Sequence, residues 1–198
     1  LLQHAVAVGV GLAALIVVTQ PISGAHLNPL ITAAAWWSGA LRGPVALATV
    51  GAQAVGASLG AVVAAVSFGD APIAISTVAR GGAGVLVGEA VATLGLVLVI
   101  VGLVRSGRSS AIPVAAGAWV TAAILATSST GFANPAVTLA RALTATATGI
   151  APASLPGFLG AQVVALVLAT ALLAVLHPTD PANAGAVDPD RTNPEARA

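Results

Sequence analysis

The chain has 198 residues, of which 58% are hydrophobic and 7% charged, with no cysteine and a formal net charge of +1. A soluble domain of this size carries about a quarter charged residues, so the composition indicates a membrane protein. It excludes disulfides and thiol chemistry, and the small net charge argues against nucleic acid as a partner.

Taken in chain order, apolar runs occupy residues 1–18, 45–68, 85–104, 112–127 and 155–176. Each is near the ~20 residues that cross the hydrocarbon as a helix. Two further apolar segments, 29–41 and 135–143, reach only about halfway, and we read them as re-entrant half-helices. Non-helical backbone at membrane depth must be buried in protein or line a water-filled cavity. The pair therefore predicts a cavity. The chain contains no Met, and Leu1 already stands inside an apolar run. The start lacks the basic region of a signal peptide, and the sequence predicts one more transmembrane helix before Leu1.

The loops hold the charges. Walking alternately across the membrane puts Arg42, Arg105, Arg108, Arg191 and Arg197 on one side. Asp70 and Arg80 fall on the other, with Arg141 nearer to them. The positive-inside rule makes the first side cytoplasmic, in a plasma (inner) membrane. Residues 1–177 are expected to form one channel domain, and 178–198 a disordered cytoplasmic tail rich in Pro, Asp and Asn. Residues 69–84 read as a polar external loop.

Two segments resemble each other: ISGAHLNPLITAAAWWSG around Asn28, Pro29 and Leu30, and STGFANPAVTLARAL around Asn134, Pro135 and Ala136. The repeat continues in GAQAVGASLGAVVAA at Gln53 and GAQVVALVLATALLA at Gln162. Interrupted segments in corresponding halves point to a site at the bilayer midplane. Proline suits the first helical position, where its missing N–H goes unused. Asn28 and Asn134 then take the N-cap positions. Half-helices entering from opposite faces would bring two positive helix ends together. That field repels cations and protons, while the Asn amides donate to a passing oxygen and the preceding loops offer carbonyl acceptors.

On these motifs, their spacing, the GAQ helix starts and Glu89 in GEAVATLGLVLVI, the chain resembles the aquaporin (major intrinsic protein) family nearly to Leu176. The resemblance implies an all-α membrane fold, an inverted repeat of transmembrane helices with two re-entrant Asn-Pro half-helices, its first transmembrane helix missing here. It implies a passive pore for water or small uncharged solutes, a likeness to homotetramers in a lipid membrane, and no cofactor.

Two positions depart from the family's water-channel pattern. Leu30 stands where the first motif normally ends in Ala, which implies a small change of shape at the midpoint. Val137 stands where water and glycerol channels carry Arg. Aligning on the Asn residues maps the rest of that constriction to Val8, to Ala122 (or its neighbour Ala123), and to Gly131. A wide, apolar, uncharged constriction is then expected. This implies metalloid acids such as arsenite, or glycerol-like polyols, ahead of water. A Val in place of that Arg is similar to bacterial channels linked to arsenic resistance. The alternatives are a water-selective aquaporin and a structural or adhesion protein with little transport.

Arg141 lies four residues past Val137, so both face one side of a helix. It is expected at the external mouth, attracting anions or orienting solutes, or else snorkelling to the interface. Glu89 is the only ionisable residue inside a span apart from span-end histidines; such groups are costly in lipid. The resemblance gives it a scaffold role on the re-entrant loop, with a proton relay as the alternative. His26 either points into the pore or packs the loop. His4 and His177 have no metal-site spacing. Gly51, Gly56 and Gly60 suit close helix packing, Gln53 and Gln162 hydrogen bonds within the bundle, and Trp36 and Trp37 packing or interfacial anchoring. No acid–base pair, nucleophile or phosphate-binding loop suggests an enzyme.

Overall fold

A computed structural model describes residues 1–177. The tail assigned to 178–198 lies outside the described residues. Seven α-helices follow in order: α1 (Leu2–Ser23), α2 (Pro29–Trp37), α3 (Gly43–Ser67), α4 (Ala83–Arg105), α5 (Ile112–Ala126), α6 (Pro135–Ala140) and α7 (Leu155–Leu176). No strand occurs among the described residues. Five helical stretches are long and apolar enough to cross a membrane. The short α2 and α6 are the two half-helices.

Helix ends differ from the expected ones for local reasons. α1 runs to Ser23, through Pro21 in its last turn, and stops where Gly24 takes φ +77°. Left-handed φ is the common helix terminator, and glycine reaches it without a Cβ clash. α2 ends at Trp37 and the chain reverses at Gly39, also at positive φ. α6 is α-helical only to Ala140, and Arg141–Leu143 tighten into a 3₁₀ turn.

α1 packs on α5, α4 on α5 and α7, and α3 on both half-helices. The α1–α5 contact is close because Gly9 faces Gly117; a Cβ on Gly9 would stand 2.6 Å from the Gly117 carbonyl oxygen. In lipid no hydrophobic force draws helices together, so small residues that admit close packing serve instead. Among the described residues nothing packs against Gly51, Gly56 and Gly60. They lie on α3, whose Val55, Leu59 and Val63 are also exposed. Trp36 and Trp37 are exposed as well, whereas Trp119 donates to the Ala92 carbonyl at 2.8 Å.

The loop between α3 and α4 is laid across the end of α6. Its Ala74 and Ser76 N–H groups donate to Leu143 and Ala142, and its Val78 carbonyl accepts from Ala151. Ser76 is buried there.

Candidate solute pathway

The two half-helices meet through their caps. Asn28 Oδ1 accepts from the Leu30 N–H at 3.0 Å, and Asn134 Oδ1 accepts from Ala136 and Val137 at 3.0 and 3.3 Å. Each carboxamide then donates across the repeat. Asn28 Nδ2 donates to the Ala133 carbonyl at 2.8 Å, and Asn134 Nδ2 to the Leu27 carbonyl at 2.9 Å. Each NH₂ has two hydrogens, so one per Asn remains for another acceptor.

The loops feeding these caps share one backbone path. Gly24, Ala25 and Leu27 have positive φ before Asn28; Thr130, Gly131 and Ala133 have it before Asn134. Left-handed φ costs a side-chain-bearing residue roughly 1–2 kcal/mol. Four such residues occur here because the crossed bonds need the Leu27 and Ala133 carbonyls turned toward the opposite Asn. Behind them, Thr32 and Thr138 back-bond to the Asn carbonyls, and Gln53 and Gln162 donate to those threonines at 2.9 and 2.8 Å.

The second loop has an additional support. Glu89 is fully buried. Its Oε1 accepts from the Ala133 N–H at 2.6 Å and from Gln162 at 2.7 Å, and its Oε2 accepts from Phe132 at 3.1 Å. Both carboxylate oxygens are engaged by the scaffold.

A cavity of about 390 Å³ runs past both Asn side chains. Toward one end it is lined by Val8, Gly131, Phe132, Val137 and Arg141, and toward the other by Gln20, Ser38, Val104 and Ser109. Between these lie Ile31, Ile100 and Val101, and His26 also reaches the wall. Pro29, Leu30, Pro135 and Ala136 hold the half-helix starts without lining the cavity, and Leu30 and Ala136 are buried. The mapping of Ala122 to the constriction is corrected: its side chain is exposed, and α5 contributes Ala116, Val120 and Ile124 to the wall. Its neighbour Ala123 is buried behind the wall against Gly131, where an added Cβ would stand 3.0 Å from the Ala123 Cβ.

Two residues at the Arg141 end escaped the sequence reading. Phe132 is buried, with its ring tilted 5.1 Å from that of Phe158. Arg80, from the α3–α4 loop, lies 5.0 Å from the Phe132 centroid. Phe132 occupies the position that His26 holds in the first copy, a signal the repeat contains. Burial lowers Arg80 from its ordinary value, and Glu89 acts against that; an arginine stays charged regardless. Among the described residues no group of three or more His, Asp or Glu could hold a metal.

Comparison with known proteins agrees with this geometry. A family model described as major intrinsic protein matches residues 1–133, up to the threshold of the second Asn. The chain is similar to aquaglyceroporin AqpS of Rhizobium meliloti (strain 1021), 40% identical over 182 residues, 91% of this chain and 78% of that protein. No solved structure matches. Five helices long and apolar enough to cross a membrane among the described residues, two opposed half-helices and these matches lead to one conclusion: the chain belongs to the major intrinsic protein family of multi-pass membrane channels for small solutes.

Proposed function

We propose that the chain forms a passive pore for small uncharged solutes of the glycerol-like polyol and metalloid-acid class, such as glycerol and arsenite. The observation that carries this reading is Val137, which faces the cavity beside Val8 and Gly131. None of these three positions carries a side-chain donor, and a larger neutral solute meets only small apolar groups at them. The Asn28 and Asn134 amides and the converging helix ends supply donors and a cation barrier at the midpoint. The name of the relative from Rhizobium meliloti supports the polyol half of the class. We assign the Arg141 end to the outside and the C-terminus to the cytoplasm from the arginine distribution. The family resemblance also points to a homotetramer.

Flux into proteoliposomes tests the pore. Glycerol and arsenite are expected to enter far faster than into empty vesicles. Val137→Arg is expected to cut glycerol flux by about tenfold, or ~1.4 kcal/mol on the barrier, with water favoured in relative terms. Flux equal to that of empty vesicles overturns the reading; fast water with excluded glycerol replaces it with a water-selective channel.

A further inference from the structure

Phe132 sits between two guanidiniums with different surroundings. Arg80 is engaged: Nε donates to the Gly149 carbonyl at 2.7 Å, one terminal nitrogen to the Ala147 carbonyl at 2.9 Å, and the other reaches Thr130 Oγ1 at 3.5 Å. Arg141 has its guanidinium carbon 4.2 Å from the Phe132 centroid and opens onto the cavity. Among the described residues its guanidinium donates to no protein acceptor. The described residues hold two carboxylates, Asp70 and Glu89. Glu89 is bonded to Phe132, Ala133 and Gln162, and Asp70 is exposed in the turn after α3.

A half-buried cation without an acceptor is unfavourable. Its five N–H donors form a planar fork that fits a two-oxygen edge. The neighbouring Val8 and Val137 are apolar and offer nothing to a strongly hydrated divalent ion. Deeper in, the wall is apolar at Ile31, Ile100 and Val101, and stripping an anion of water there is costly.

We propose that Arg141, stacked on Phe132, is a docking site for a small planar monovalent oxyanion, which binds at the mouth without passing and obstructs neutral solutes. Arg80 is a positioning residue: it ties the loops around Phe132 and adds positive charge behind the ring. The location at a pore mouth rests on the pore reading above; the binding itself does not.

Nitrate is the probe, since it is planar and stays ionised, and chloride at equal ionic strength is the control. Nitrate is expected to slow glycerol flux into proteoliposomes severalfold where chloride does not, with half-effect near the millimolar range typical of a weak site. Arg141→Gln is expected to abolish the block. Arg141→Lys keeps the charge but loses the fork, and is expected to weaken the block by about tenfold. Arg80→Gln is expected to weaken it less, with partial rescue by Arg80→Lys. A parent that conducts glycerol unaffected by nitrate overturns the proposal, as does equal block in Arg141→Gln. If the parent conducts no glycerol, relaxation of ¹⁵N-nitrate on the purified protein decides. Broadening that disappears in Arg141→Gln or Arg141→Lys supports the site while the pore reading fails; no broadening in the parent overturns the site.

Discussion

The two re-entrant segments have one backbone design and opposite chemistry. Both turn through three positive-φ residues, cap a helix with Asn, follow it with Pro, and brace it with a Thr–Gln pair. Their cavity-facing positions then diverge. The first presents Ile31 and Ala35; the equivalent places in the second are Val137 and Arg141. Two positions before the cap, the loop carries His26 in one and Phe132 in the other. Among the described residues, Glu89 braces the second loop through Phe132 and Ala133. The scaffold is thus shared, while charge and aromatic bulk are concentrated at one end of the cavity. A conserved frame fixes where the donors stand, and a few wall residues decide what each end does to a solute.

Removing the Glu89 brace should have the most severe effect. Glu89→Leu leaves the Phe132 and Ala133 N–H groups without their acceptor inside the protein and takes one of two acceptors from Gln162. A loss on the order of 2–5 kcal/mol is expected from the unsatisfied buried donors, read as failed membrane accumulation or a collapsed thermal transition in detergent. The caps come next. Asn28→Ala and Asn134→Ala each remove a cap worth ~1 kcal/mol and one crossed bond. Each should lower the melting temperature in detergent; an unchanged transition in either variant contradicts the assigned cap.

The glutamines give a finer comparison. Gln162 is fully buried and bridges Glu89 and Thr138, whereas Gln53 is half-buried and reaches only Thr32. Hydrogen bonds within membranes average about 0.6 kcal/mol. Gln162→Leu should therefore cost about twice as much as Gln53→Leu in thermal stability. The smallest effect is expected at Ala25, with φ +50° where the second copy has Gly131. Ala25→Gly should stabilise slightly, by ~0.5–1 kcal/mol, through relief of left-handed strain. Gly131→Ala should destabilise, since its Cβ would press on Ala123.

Much of this architecture was legible because the bilayer imposes it. Run length marks the spans, and Leu155–Leu176 appears with the bounds its apolar run has. Asn-Pro after a Gly-containing stretch marks the half-helices because cap and first-turn chemistry are local. Side-chain direction across a gap was less legible. Ala122 was placed by counting along an alignment, yet helix rotation turns it outward and brings Val120 and Ile124 to the cavity. Gly51, Gly56 and Gly60 have the composition of a packed face, but composition does not say what lies opposite. The association of Arg80 with Phe132 depends on the path of a long loop over α6, set by backbone bonds from Ala74 and Ser76 that no periodicity encodes.

The crossed Asn bonds also constrain how the protein is made. Pro29–Trp37 emerges from the ribosome long before Ala133 exists to accept from Asn28. Until then the first half-helix lacks its counterpart and must wait, sheltered by translocation machinery or by neighbouring helices, at a depth where lipid cannot solvate it. Biogenesis is therefore completed late and as a single event: the closing step for the early half is synthesis of the later one.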